Sequence, residues 1–162
     1  MRKFIVWLLP IGWMSIIFYS SATPYEEQDI KPFLGTIVDF SFLEPFVDWI
    51  SFTYNQSIVS VEELGIHGFI EFFIRKGAHI AVFFLLTCFF CFAFRKTTMI
   101  RERMIFIFSF VLTVIYAVLD ELHQGITPNR TPYAGDVLLD SFGAFIAVIC
   151  MILLNRYRKI GA

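Results

Sequence analysis

The sequence has 162 residues, 57% of them hydrophobic and 17% charged, with 21 phenylalanines, where a soluble domain averages about 45–50% apolar and about 25% charged residues. That excludes an ordinary soluble domain, and the length favours one membrane domain over a membrane anchor with a soluble catalytic unit beside it. A net charge of −1 argues against a nucleic-acid partner, and the charges are sorted along the chain rather than mixed.

Four apolar stretches run from Phe4 to Tyr19, Ala78 to Phe94, Met104 to Leu119 and Val137 to Leu154. Each approaches the roughly 20 residues that a helix needs to cross a hydrocarbon core of about 30 Å. The first also reads as a secretory signal, with a basic start and Ser20-Ser21-Ala22 as a small-residue cleavage site. Trp7, Trp13 and Pro10 favour an uncleaved span, which Pro10 would kink. Between the first two stretches, Ala22 to Ile74 carries nine carboxylates and one base, Lys31. Its part from Phe33 to Phe52 is too apolar for a disordered loop and too acidic to span, so it predicts amphipathic helices lying on the outer interface. Ser60-x-x-Glu63 reads as a capping box, which predicts a helix start there, a break at Gly65 or Gly68, and continuation into the second span. The third stretch, about 24 Å long as a helix, must run past Leu119 to span, which draws Asp120 and Glu121 into the membrane boundary.

Nine of the 13 Lys and Arg residues fall at the N-terminus, between the second and third stretches, and at the C-terminus; 13 of the 14 Asp and Glu residues fall on the other side. The positive-inside rule then makes both termini cytoplasmic. The expected fold is an all-α polytopic membrane protein, a single domain over 1–162, with spans at about 4–21, 76–94, 104–124 and 136–154 and an external segment over 22–75. Cys88, Cys91 and Cys150 lie within apolar spans, where they lack the electropositive surroundings of a reactive thiol.

Ionisable residues within spans mark function. Lys76 and His79 are neighbours at i,i+3 on the second helix. Tyr116, Asp120 and His123/Gln124 share one face of the third, with Glu121 turned about 100° away. Asp136, Asp140 and Gly143 follow the same pattern on the fourth, and Arg130 lies in the Thr127–Pro132 turn. Ser20 and Ser21 close the first span at the same end. Snorkelling to headgroups accounts for Lys76, Glu121 or Arg130 taken singly. It does not account for Asp140, a short side chain one turn inside a span, which needs a partner: Arg130, Lys76 or a protonated histidine. A purely structural network tying helix ends together stays open.

The chain resembles the VanZ-like family. The matching residues are Ser20-Ser21; Arg75-Lys76-Gly77-Ala78-His79; Tyr116 with Asp120-Glu121-Leu122-His123-Gln124; Pro128-Asn129-Arg130; and Asp136, Asp140 and Gly143. Phe83 stands where a tyrosine is common, and residues 25–74 carry no family motif. The resemblance implies a contribution to resistance against glycopeptides of the teicoplanin class, in a family not established as enzymes.

Several chemistries remain open for the cluster. Two carboxylates, Asp120 with Asp136 or Asp140, and His79 or His123 between them, could form an acid/base pair acting on a lipid-linked envelope substrate. Ser20 or Ser21 could act as nucleophile with His79 close by, although no strand–turn–helix elbow exposes either. Metal binding by Asp120, His123 and the fourth-span aspartates is disfavoured by Lys76 and Arg130, and zincin spacing is absent. Lys76 and Arg130 set against four carboxylates leave the pocket negative, better suited to a cation, proton or ammonium group than to a phosphate. A binding role is the rival reading, in which the acidic, aromatic-rich outer face captures a glycopeptide or a lipid-linked wall precursor. The expected partners are membrane lipid and such a ligand, with no cofactor and no nucleic acid; Gly143-x-x-x-Ala147 suits close packing within the chain or between copies.

Overall fold

The computed structural model describes residues 2–23, 39–128 and 131–160. Four of its helices are long and apolar enough to cross a membrane: Lys3–Ala22, Val61–Thr97, Glu102–Gln124 and Ala134–Tyr157. The chain divides into two compact units, one made of residues 1–24 and 79–162, the other of residues 25–78.

In the first unit, a 3-10 stretch over Arg2–Trp7 passes into helix α1, Leu8–Ala22. Pro10 therefore sits in the first turn of the α-helix, two residues past the change of helix type at Leu8. The later helices are α3 (Val61–Thr97, of which residues 79–97 belong to this unit), α4 (Glu102–Gln124) and α5 (Ala134–Ile160). Their core joins Ile17, Phe83, Leu86, Phe90, Tyr116 and Ala117, and a second cluster joins Cys91, Ile105 and Phe106. The Trp13 indole donates to the Val82 carbonyl at 3.0 Å, and the Tyr116 hydroxyl donates to the Met14 carbonyl, so α1 is an integral packing element.

Helix α4 shows how a membrane inverts ordinary packing. Its buried face carries Ser109, Thr113, Tyr116, Asp120, Glu121 and Gln124, while Ile107, Phe108, Val111, Ile115 and Val118 point outward. Apolar side chains lose nothing against lipid, whereas polar groups must find partners inside. Thr87 on α3 accordingly donates to the Thr113 hydroxyl at 3.0 Å in a fully buried contact. At the basic end, Arg95 makes a two-pronged pair with Glu102, and Asn155 donates to the same carboxylate. Gly143 and Ala147 pack within the chain: a Cβ on Gly143 would overlap the carbonyl oxygen of Ile80, and Ala147 is fully buried.

The second unit contains a 3-10 turn (Ser41–Leu43), the short helix α2 (Glu44–Val47) and an antiparallel hairpin of β1 (Ser51–Tyr54) and β2 (Ser57–Ser60), paired Phe52 to Val59 and Thr53 to Ile58. The hairpin is absent from the sequence-based expectation. Alternating Phe52, Tyr54, Ile58 and β-branched Thr53 and Val59 suit strands, but the turn residues Asn55 and Gln56, both at positive φ, lack the glycine that usually marks such a turn. Residues 33–38 of the expected interfacial segment lie outside the described residues. Helix α3 then starts as its capping residues predict, the Ser60 hydroxyl accepting from the Glu63 N–H at 3.2 Å, and it breaks at Gly65, whose φ of 66° and ψ of 164° interrupt the helix. Its 37 residues are far more than the roughly 20 that a helix needs to cross a hydrocarbon core. The helix thus begins about 15 residues before the expected span. Glu71, almost fully buried, is held there by Arg75 at 2.7 Å one turn on.

Candidate functional site

Helix ends build the site in the first unit. Ser21 comes from the last turn of α1, His79 from α3, Asp120, Glu121, His123 and Gln124 from the last turns of α4, and Asp136 and Asp140 from the first turns of α5. Two polar patches result. In one, the Gln124 amide donates to Asp120 Oδ2 at 2.9 Å and to the Ser21 hydroxyl at 3.4 Å, while the Thr127 hydroxyl donates to the Ser21 carbonyl at 3.2 Å. The spacing of Asp120 and Gln124, four residues apart on one face, makes that first bond possible. In the other patch, His79 Nδ1 lies 3.3 Å from Asp140 Oδ1. That distance is within ion-pair range, but the approach is off the hydrogen-bond line, so Asp140 Oδ1 keeps no hydrogen bond among the described residues.

Unsatisfied acceptors define the chemistry. Asp120 Oδ1, Asp140 Oδ1 and His123 Nδ1 are all buried without a hydrogen-bond partner among the described residues. A buried carboxylate oxygen left unpaired costs of the order of 1–3 kcal/mol or more. Asp120, Glu121, Asp136 and Asp140 also lie within reach of one another's charge. Such a cluster favours an incoming hydrogen-bond donor or positive charge over an anion. His79 is the accessible member, its side chain 30% exposed while that of Asp140 is 2% exposed. An accessible imidazole lying against a buried carboxylate is an arrangement suited to moving a proton.

The expected site residues divide clearly. Ser21, Tyr116, Asp120 and Gln124 line one buried face together, and His79 meets Asp140. The Ser21 hydroxyl is engaged by Gln124, which places it with the Asp120 patch instead of a serine–histidine pair. Ser20 is exposed at the helix end. Glu121, turned away from Asp120 as the helical period requires, is nonetheless buried and accepts from the backbone N–H of Tyr133. Asp136 is half-buried in the first turn of α5. Lys76 belongs to the second unit, where its ammonium lies 4.5 Å above the Tyr54 ring and 5.8 Å from that of Phe72. Arg130 lies outside the described residues, as does its expected pairing with Asp140. Among the described residues, no three His, Cys, Asp or Glu side chains are grouped to hold a metal ion.

Sequence reasoning missed three contributors. Thr127 and Tyr133 sit in what reads as a plain Pro-bounded turn, yet each fixes a site residue through a hydrogen bond. Phe18 stacks on the His123 ring at 4.0 Å with planes 10° apart, and nothing in an apolar span distinguishes that phenylalanine from its neighbours.

The VanZ/LLP1 family model matches residues 6–155, which include most of every long helix of the first unit and every expected site residue. No curated protein and no solved structure matches the chain. With a family model covering nearly the whole sequence, and the family's polar residues gathered at the helix ends, this multi-pass membrane protein belongs to the VanZ-like family.

Proposed function

We propose that this protein acts in the cell envelope, with its polar cluster on the extracytoplasmic side, where it engages an envelope-bound ligand and contributes to protection against glycopeptides of the teicoplanin class. The observation that carries the reading is the pair of buried aspartates, Asp120 and Asp140, each keeping one carboxylate oxygen without a hydrogen bond among the described residues. A carboxylate within a span costs about 2.5–3.5 kcal/mol even on the insertion scale, so two of them, Asp120 with an oxygen that no hydrogen bond reaches among the described residues and Asp140 facing the partly exposed His79, fit a site better than a structural tie. Sorting of the basic residues supports the outward orientation. The acceptors suit a ligand rich in amine and hydroxyl donors, a description that covers both a glycopeptide and a lipid-linked wall precursor. The test is drug protection in cells carrying Asp120→Ala protein at wild-type membrane abundance. Protection is expected to be lost, and wild-type protection would overturn the assignment.

The His79–Asp140 contact favours a second reading, acid/base chemistry on a lipid-linked envelope substrate. Asp120→Asn and His79→Gln keep shape and remove proton transfer. Under the catalytic reading both abolish activity while ligand binding survives; under the binding reading their effects are graded. Full protection by both variants at normal abundance rules out catalysis by these two residues.

A further inference from the structure

The second unit carries an apolar face that its own core does not use. Helix α2 continues the 3-10 turn of Ser41–Leu43 and runs out into a turn at Asp48–Trp49, with the Asp48 N–H bonded to the Glu44 carbonyl and the Ile50 N–H to the Val47 carbonyl, both at 2.9 Å. At about 100° per residue, three faces follow. Leu43, Val47 and Ile50 turn toward the cluster of Val59, Val61, Ile66 and Phe69 and pack on it. Glu44 and Asp48 share a second face. Phe42, Phe46 and Trp49 form the third and are 63%, 72% and 81% exposed. Three large aromatic side chains in a row, left open in a chain of this kind, need a partner.

We propose that the Phe42–Phe46–Trp49 row is a membrane-interface anchor that inserts among lipid chains at the headgroup boundary. Three further observations select lipid as the occupant. The indole N–H of Trp49 is already satisfied by the Phe46 carbonyl at 2.8 Å, so the ring enters an apolar medium without stranding a donor. The carboxylates lie on another face of the segment, the segregation that lets a short helix lie in the interface plane. The segment also packs against the opening turns of a helix long and apolar enough to span the bilayer, which ties the row to a membrane-bound chain.

The test uses the full chain in phosphatidylcholine vesicles, which add no other protein, with Trp7→Phe and Trp13→Phe so that Trp49 is the sole tryptophan and is excited selectively over the tyrosines. Phosphatidylcholine brominated near the headgroup end of its chains is expected to quench Trp49 at least about twofold, while iodide in the water quenches it little. Strong iodide quenching with no effect of bromolipid would place the row in solvent and overturn the anchor. Insensitivity to both would mean that protein covers the row, in a second copy or another chain, and would overturn it equally. Because Trp7 and Trp13 donate hydrogen bonds to Thr97 and Val82, their replacement risks the fold. A spin label at Phe46→Cys, in a chain with Cys88, Cys91 and Cys150 replaced by alanine and all tryptophans kept, gives an independent reading: collision with oxygen exceeding collision with a water-soluble nickel complex supports insertion, and the reverse order overturns it.

Discussion

Asp140 concentrates the site's chemistry in one side chain. Its position four residues after Asp136 places it a turn and more into α5, where a carboxylate must be partnered, and the described partner is His79 at 3.3 Å. Breaking a fully buried pair costs about 3–5 kcal/mol; the cost here is smaller because the His79 side chain is 30% exposed. His79→Ala and Asp140→Ala should each lower the thermal stability of the purified protein, and the double variant should lose less than the sum, with a coupling of about 0.5–3 kcal/mol. Additive losses would show that the two do not interact and that Asp140 depends on another cation. A second residue-scale expectation concerns Asp39, outside the spans. The Ser41 hydroxyl donates to its carboxylate at 2.6 Å and the Ser41 N–H at 3.0 Å, which holds its carboxyl below the usual 3.8. A lowered folded-state value means that this contact stabilises the turn above the unfolded pKa and that the contribution fades as pH falls through the folded one. Ser41→Ala should raise the Asp39 titration point in an NMR titration; an unchanged value would sever the link.

Among the elements, α3 and α5 come close enough for Gly143 to face the Ile80 carbonyl. Gly143→Ala should cost about 1–3 kcal/mol, since the neighbour it meets is backbone and cannot swing aside. Gly12→Ala is the control, because a Cβ there meets nothing within 4 Å; it should be neutral or slightly stabilising in the same melting experiment. The hairpin offers the opposite case. Gln56 holds a φ of 65° without being glycine, a conformation that costs an ordinary residue roughly 1–2 kcal/mol. Gln56→Gly should strengthen the hairpin by about 0.5–1 kcal/mol after the entropy cost of glycine is set against that strain. Slower hydrogen exchange at the strand amides would record the gain, and faster exchange would refute it.

For the whole molecule, the distribution of charge sets the expected direction of the helices. The positive-inside rule, applied to the sorted basic residues, predicts Arg101 inside and Asp39 outside. In a chain freed of its three cysteines, Asp39→Cys should react with a membrane-impermeant maleimide in intact cells, while Arg101→Cys should react only after lysis. The reverse pattern would move the polar cluster to the cytoplasmic side and remove the basis for contact with an external drug. Helix α4 fits either orientation, since its outward face is apolar throughout the span and its polar residues turn inward.

Hydropathy and helical period were enough to read the four spans, the start of α3 at Ser60 and the polar stripe Tyr116–Asp120–Gln124, because length, capping and i,i+4 spacing are local properties written into consecutive residues. The break at Gly65 was legible as one of two glycines, and only the backbone showed which one takes the left-handed conformation. Partner choice was not legible. That Asp140 meets His79, that Ser21 is held by Gln124, and that Thr127 and Tyr133 support the site depends on which helix ends come together in space. The hairpin was missed for the same reason: its four-residue strands are stabilised by packing on Phe69 and its neighbours, a long-range contact that overrides a turn sequence without glycine.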